Sequence, residues 1–150
     1  MYRAIVAWQI RKSFLRMSAQ EYDRAVDRMA PEVRQVFPGD HALGGERRSR
    51  EAIRRWFQRV YRLLPDLGFE VKTVAVSGWP WSTEVAVEWV VRATATDGVP
   101  YVNHGSTFMR IRWGRVVDIR EYLDTAVTAE SLRRLAGSGV EEAAAAPIAG

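Results

Sequence analysis

The chain has 150 residues, of which 47% are apolar and 27% are charged, with a formal net charge of +4. This composition excludes an intrinsically disordered chain, and the length suits one domain with a single hydrophobic core. It contains no cysteine and no apolar run of the roughly 18 residues that cross a membrane, which excludes disulfides, thiolate zinc sites and transmembrane helices and leads us to expect a cytoplasmic protein without membrane contact.

Two helices are predicted at the start of the chain. An apolar stripe at helical spacing predicts the first one over residues 2–17, through Val6, Ile10, Phe14 and Met17. Ser18 is a favourable N-cap for a second, short helix over 19–29. Pro31 ends this second helix, because proline lacks a backbone N–H.

A short strand over 32–37 and a loop over 38–45 rich in glycine and proline come next. Ser49 then caps a strong helix over 50–64. The apolar face of this helix is expected in the core and contains Ile53, Trp56, Phe57, Val60, Tyr61 and Leu64.

Four strands are predicted in the second half of the chain, over 69–76, 84–95, 99–112 and 115–122. Tight turns join the last three, which predicts an antiparallel meander. Because such a sheet needs helices to cover one face, the order of the elements indicates an α+β fold with a bent antiparallel sheet.

A short helix over 129–135 completes the domain, which we place at residues 1–136. Residues 137–150 are small or acidic and offer little apolar surface. They are therefore predicted to form a mobile C-terminal tail.

The alternation of side chains along the strands identifies two polar residues on an otherwise apolar face. Val85, Val87 and Trp89 define the buried face of one strand, and the same parity places Asn103 and Glu121 on the inner face of the next two. Two alternatives stay open. Glu121 reaches solvent or an arginine at the strand end, or a bulge turns His104 inward in place of Asn103.

The densest cluster of basic residues raises the question of nucleic-acid binding. It alternates with Glu46 and Glu51, and no known binding motif accompanies it. We therefore interpret these side chains as solvent-exposed and expect no nucleic-acid partner. The cluster consists of Arg47, Arg48, Arg50, Arg54 and Arg55.

Several segments together resemble the SnoaL-like branch of the nuclear transport factor two superfamily, over roughly residues 5 to 135. They are the loop Phe37-Pro38-Gly39, the helix start Arg50-Glu51-Ala52-Ile53, the segment Trp113-Gly114-Arg115-Val116-Val117 and the segment Glu121-Tyr122-Leu123-Asp124. The resemblance implies a cone-shaped curved sheet wrapped around the N-terminal helices, as in a cystatin-like roll. It also implies a pocket between sheet and helices, and a homodimer through the outer face of the sheet.

The resemblance carries over only part of the site of ketosteroid isomerase, a member of this superfamily. Counting back from Ile53 places Asp40 at the isomerase's aspartate base, whereas counting forward from the second helix places Phe37 there. Ser13 and Thr107 stand where the isomerase has its tyrosine and its second acid. Glu121 stands where the last strand lines the pocket in the family.

Proton transfer on an apolar compound needs a carboxylate or histidine in a dry pocket and a donor for the oxygen that becomes charged. Asp40 or Glu121 is the candidate base, and Asn103, His41 or His104 is the candidate donor. The candidate walls of the ligand pocket, which aromatic core packing explains equally well, are Trp56, Trp89, Tyr101 and Met109.

No metal or cofactor is expected, because the two histidines lack metal-binding spacing and no phosphate-binding loop is present. We favour a cofactor-free enzyme of the isomerase, cyclase, dehydratase or epoxide hydrolase type that acts on a small hydrophobic molecule. The alternative is a non-catalytic ligand-binding or dimeric interaction module of the same fold. Asp40 and Glu121 near one cavity would favour the enzyme.

Overall fold

A computed structural model describes all residues from 1 to 150. The helices are α1 (Tyr2–Ser18), α2 (Tyr22–Asp27), α3 (Arg50–Leu63) and α4 (Thr125–Gly137). The strands are β1 (Met29–Phe37), β2 (Gly45–Arg47), β3 (Gly68–Trp79), β4 (Ser82–Thr94), β5 (Pro100–Arg112) and β6 (Arg115–Leu123), and a 3-10 turn follows at Glu141–Ala144. None of the helices combines the length and the apolar character that a membrane span requires.

All six strands form one sheet in the order β2-β1-β6-β5-β4-β3. Register shifts between Val71 and Thr73, and between Arg110 and Ile111, mark bulges that bend the sheet. The predicted α+β class and the predicted meander of β4 to β6 are confirmed, and β3 extends the meander by pairing antiparallel with β4. The sheet is mixed, because β1 runs parallel to β6 while the other pairs are antiparallel.

The core lies between the inner face of this sheet and the apolar faces of α1 and α3. The predicted parity is confirmed, since Val85, Val87 and Trp89 are buried on β4, and Asn103 is buried on β5. His104 is exposed on the opposite face. The bulge that would have turned His104 inward is therefore absent, and β4 and β5 pair without a register shift.

The junction between the first two helices differs from the prediction. Helix α2 begins at Tyr22, and Ser18 does not cap it. The hydroxyl of Ser18 instead donates to the carbonyl of Phe14 (3.1 Å) and accepts from the backbone N–H of Phe69 (2.9 Å). Pro31 lies inside β1, within the segment where the β1–β6 register shifts, so its missing N–H costs no ladder hydrogen bond there.

The end of the domain is more regular than predicted. Helix α4 begins at Thr125, because the carboxylate of Asp124 accepts from the backbone N–H groups of Ala126 (3.0 Å) and Val127 (3.4 Å). The short strand β2 was not predicted, since three residues carry too little alternation to be recognised.

The C-terminal segment 138–150 makes defined contacts. The carboxylate of Glu142 accepts from Arg62 (2.9 Å) and Arg59 (3.3 Å). The carbonyls of Ala146 and Ile148 accept from Arg59 and Arg47, at 2.9 Å each. The mobility of the tail concerns its motion and stays a prediction.

Candidate functional site

A cavity of about 180 Å³ lies between the inner face of the sheet and the helices α1, α2 and α3. Of the 30 residues that line it, 23 are hydrophobic, which suits an apolar ligand. Four predicted ligand contacts line this cavity: Trp56, Trp89, Tyr101 and Met109.

Glu121 lines the same cavity from β6, directly opposite Thr107 on β5. The Thr107 hydroxyl donates to Oε2 of Glu121 (2.7 Å), and it accepts from Nε1 of Trp89 (2.9 Å). Because an indole N–H only donates, the single hydrogen of the Thr107 hydroxyl is directed to the carboxylate. The position of Oε2 is therefore fixed by a short hydrogen-bonded chain across three strands.

The second carboxylate oxygen of Glu121, Oε1, has no hydrogen bond or ion pair with the protein. Only Nε2 of His41 is a fully buried polar side-chain atom without a partner. Oε1 of Glu121 is therefore accessible, and the residue is only half-buried because the cavity lies beside it. The cavity thus contains a carboxylate oxygen that is free to accept a proton or a ligand hydrogen bond.

The environment of Glu121 shifts its ionisation into the neutral range. Burial raises the pKa of Glu121 to about 7, although the Thr107 hydrogen bond and the Arg47 charge both act to lower it. Near pH 7 the charged and neutral forms are then both populated. A carboxyl group with this property is able to accept and return a proton at neutral pH.

Arg47, the last residue of the edge strand β2, is fully buried, with no exposed surface. Its guanidinium donates to Oε1 of Gln35 (2.6 Å) and to the carbonyls of Gly44 (3.1 Å), Gly45 (3.2 Å) and Ile148 (2.9 Å). Burial and the nearby Arg59 lower the pKa of Arg47 to about 10, and Glu121 opposes this shift. The group remains charged at neutral pH, and backbone and amide oxygens hold it in place of a carboxylate.

Asn103 is on the inner face, as predicted, but it does not line the cavity. The two hydrogens of its amide nitrogen are shared among three acceptors, the carbonyl of Asp124 (3.0 Å), the hydroxyl of Tyr101 (3.2 Å) and that of Thr128 (3.2 Å). Its oxygen accepts from the backbone N–H groups of His104 and Asp124. Asn103 therefore links β5 to the start of α4, with no hydrogen-bonding capacity left for a ligand.

Asp40 and His41 lie in the loop between β1 and β2, outside the lining of the cavity. Asp40 is exposed. Nδ1 of His41 accepts from the backbone N–H of Leu43 (3.2 Å), and burial lowers the pKa of His41 against the opposing charge of Asp40. The ring of Phe37, which lines the cavity, packs edge-on against His41 at 6.1 Å between centroids. The two acids do not share the cavity.

The predicted arginine cluster does not form a continuous surface. Arg47 is buried, Arg54 pairs with Asp23 and Asp27, and Arg48 pairs with Glu46. The two histidines lie on different elements, and no three His, Cys, Asp or Glu side chains are grouped to hold a metal ion.

Two cavity residues and one neighbour were missed as functional candidates. Thr107 was on the predicted inner face, and its position opposite Glu121 followed from pairing the last two strands. Gln35 has the same parity as Val33 and Phe37 in the predicted strand, which was a usable signal for the inner face. Arg47 gave no signal, because its burial depends on the unpredicted strand β2.

Comparisons with known proteins agree with this architecture. Residues 10–119 match the family model described as a SnoaL-like domain. The chain resembles PrhC from Penicillium brasilianum with a TM-score of 0.76 and 13% identity, over 95% of both chains. No functionally curated protein matches the sequence.

Two further solved structures share the fold. An NTF2-like protein from Burkholderia pseudomallei has a TM-score of 0.71 and 21% identity, over 83% of this chain and 92% of the other. A hypothetical protein with a ketosteroid isomerase-like fold from Catenulispora acidiphila, in complex with trimethylamine, has a TM-score of 0.62 and 18% identity, over 79% and 82%. At these identities the similarities establish the fold alone.

Proposed function

Because this chain belongs to the SnoaL-like domain family, we propose that it is a cofactor-free small-molecule enzyme in which Glu121 transfers a proton to and from an apolar substrate. The observation that supports this proposal is the free oxygen of Glu121 in a mainly apolar cavity, on a carboxyl group whose pKa is raised to about 7. Isomerases, cyclases and dehydratases use general acid–base catalysis of this kind, and in an epoxide hydrolase the same carboxylate would take the proton from the attacking water.

The two oxygens of the Glu121 carboxyl group have different roles in this proposal. Oε2 is held by Thr107 (2.7 Å), so the proton moves through Oε1, which has no protein partner. The apolar walls limit competing water and strengthen electrostatic interactions between Glu121 and a bound substrate. In this proposal Asp40 has no role at the reacting atoms, since it is exposed outside the cavity.

A non-catalytic ligand-binding module is the second candidate. Two observations favour it. Asp40 does not line the cavity, so Glu121 is the only carboxyl group there, and Asn103, the predicted hydrogen-bond donor, is absent from the lining as well. In that case the neutral form of Glu121 would donate one hydrogen bond to the ligand and no bond to carbon would change.

A homodimer is part of the proposal. The outer face of the sheet presents Val102, Phe108 and Tyr122, which are 45%, 38% and 51% exposed. The rings of Phe108 and Tyr122 pack edge-on at 5.6 Å. Sedimentation equilibrium should give a dimer mass for the native chain and a monomer mass for Phe108→Glu, and a native monomer at micromolar concentration would contradict it.

Hydrogen–deuterium exchange at carbon tests catalysis without knowledge of the natural substrate. A panel of apolar ketones is incubated with the protein in deuterated buffer at pH 7, and deuterium at the carbons next to the carbonyl is measured by mass spectrometry. We expect exchange that Glu121→Gln slows at least about 100-fold. The exposed Glu88→Gln is the matched control and should not slow it. Equal rates in the protein and the Glu121 variant would contradict the proposal, and ketones that bind without exchange would support the binding module.

A further inference from the structure

We propose that the side-chain amide of Gln35, oriented by buried Arg47, is the hydrogen-bond donor for a carbonyl oxygen of the ligand, so that the cavity takes apolar ketones and related carbonyl compounds. This inference rests on the proposed function for the use of the cavity as a ligand site. It adds the group that binds the oxygen and the chemical class of the ligand.

The orientation of the Gln35 amide follows from its one partner. Nε of Arg47 lies 2.6 Å from the Gln35 side chain, and a guanidinium N–H only donates. The oxygen of the amide must therefore face Arg47, and the NH2 group must point away from it. Gln35 is 2% exposed and lines the cavity.

The amide nitrogen of Gln35 makes no hydrogen bond within the protein. It is not a fully buried atom without a partner, because Nε2 of His41 is the only such atom. The Gln35 nitrogen therefore has its small accessible surface in the cavity that the residue lines. A ligand oxygen in the cavity would give this donor the hydrogen-bond partner that the protein does not supply.

Arg47 keeps this donor fixed and strengthens it. Three backbone carbonyls and the stacking of the guanidinium over the ring of Trp56 (5.4 Å) hold the side chain of Arg47. A positive charge on the oxygen side of an amide polarises the amide, so its N–H groups become better donors. Arg47 is a positioning residue, because it touches Gln35 and does not line the cavity.

Gln35 and Glu121 are placed to act on neighbouring atoms of one ligand. Gln35 lies beside Ile119 in the parallel β1–β6 pair, and Glu121 is the next residue of β6 on that face. The two positions are separated by two residues, or roughly 7 Å along the strand. Both side chains therefore reach the same region of the cavity from adjacent strands.

The resulting reaction step is a reversible proton transfer at the carbon next to the carbonyl. Ionised Glu121 takes a proton from the carbon next to the carbonyl, and the C–H electron pair becomes the carbon–carbon double bond of an enolate. The carbonyl electron pair moves to the oxygen, where the Gln35 amide donates to the negative charge. Glu121 then returns the proton to a carbon of the enolate, which regenerates the carboxylate.

Infrared spectroscopy of a bound ketone tests this assignment without turnover. The probe is 2-acetylnaphthalene labelled with carbon-13 at its carbonyl, bound to the native chain and to Gln35→Glu. The variant retains an oxygen for Arg47 and lacks the NH2 group. We expect the carbonyl stretch to lie at low frequency in the native protein and to rise in the variant. The control Gln9→Glu changes another cavity glutamine and should leave the low band unchanged.

A ligand comparison supplies the second readout. 2-Isopropenylnaphthalene has the shape of the ketone with a CH2 group in place of the oxygen. The native chain should bind the ketone about five-fold more tightly than the alkene, as one net hydrogen bond predicts. Gln35→Met should lose this preference. Because the ratio compares two ligands on one protein, a loss of stability in the variant does not affect it.

Three outcomes overturn the inference: a ketone that does not bind, a carbonyl band that is the same in the native chain and in Gln35→Glu, or a low band lost in Gln9→Glu. The same measurements on Glu121→Gln separate this inference from the proposed function. A low carbonyl band and a ketone preference in that variant support the role of Gln35 even where no deuterium exchange is found.

Discussion

The hydroxyl of Thr107 donates a 2.7 Å hydrogen bond to Oε2 of Glu121 across the β5–β6 pair. This contact holds one carboxylate oxygen and leaves the other open to the cavity. It also stabilises the charged form of Glu121 against the burial that favours the neutral form. The balance between the two effects sets the proton affinity of the cavity.

Removing this hydrogen bond should raise the pKa of Glu121. In Thr107→Val the side chain keeps its shape but loses the donor, so only burial and Arg47 act on the carboxylate. We expect an increase of about one pKa unit, since a hydrogen bond to a charged group contributes about 1.5 kcal/mol or more. Carbon-13 NMR of labelled glutamate measures it, with Thr73→Val on β3 as the control. A pKa that is unchanged or lower in Thr107→Val would refute the role of this contact.

The raised pKa of Glu121 also predicts a pH dependence of stability. Between its usual pKa of 4.5 and the folded value of about 7, the unfolded chain has lost the proton that the folded chain retains. The folded state then binds more protons, so the free energy of unfolding decreases as the pH rises through this window. The decrease due to Glu121 is about 3 kcal/mol at most.

Urea unfolding of the native chain and of Glu121→Gln between pH 4 and 8 isolates this contribution, because all other groups are shared. The stability of the native chain relative to the variant should fall steadily from about pH 4.5 to about pH 7. A difference that does not vary with pH would mean that Glu121 has an ordinary pKa.

Asn103 should be important for stability and unimportant for ligand binding. Asn103→Leu removes a fully bonded amide and leaves the backbone N–H of Asp124 without its acceptor. The Thr128 hydroxyl loses one donor and keeps its contact with the Tyr101 hydroxyl. We expect the free energy of unfolding to fall by about 2–3 kcal/mol. The affinity for 2-acetylnaphthalene should not change, and the adjacent exposed His104→Ala should be neutral in both measurements. A weaker ligand affinity without a loss of stability would place Asn103 in the site after all.

Ion pairs should contribute to the attachment of the C-terminal segment 138–150 to helix α3. Glu142→Gln removes the ion pairs with Arg59 and Arg62, and these surface pairs contribute up to about 1 kcal/mol. The backbone amides of Ala143 and Ala145 should therefore exchange up to about five-fold faster by NMR. Glu141→Gln, which removes an unpaired acid beside it, should have no effect. Exchange at unprotected rates in the native chain would instead support the mobile tail predicted from sequence.

The fold, Glu121 and the cavity walls could be predicted from the sequence, because they depend on the alternation of apolar and polar residues along the strands. The alternation of side chains in the predicted strands placed Glu121 on the inner face, and four predicted wall residues line the cavity. Alternation does not show whether a polar inner residue meets a cavity or another polar group. Asn103 satisfies that parity and still contacts only protein atoms.

The rest of the site depends on contacts between distant segments. Arg47 is buried because β2 pairs with β1 and because the carbonyl of Ile148 reaches it from the C-terminal segment. No local pattern encodes either contact, so the sequence favours a solvated arginine. Asp40 was selected by its offset from Ile53, but the loop that contains it directs it to solvent.

The most direct test of this account is the NMR titration of Glu121 in the native chain, with the resonance assigned by its loss in Glu121→Gln. We predict a pKa of about 7, and a change in that pKa when 2-acetylnaphthalene binds beside the carboxyl group. A pKa of about 4.5 or below that does not respond to the ketone would contradict the central claim that Glu121 exchanges protons with a ligand in an apolar cavity.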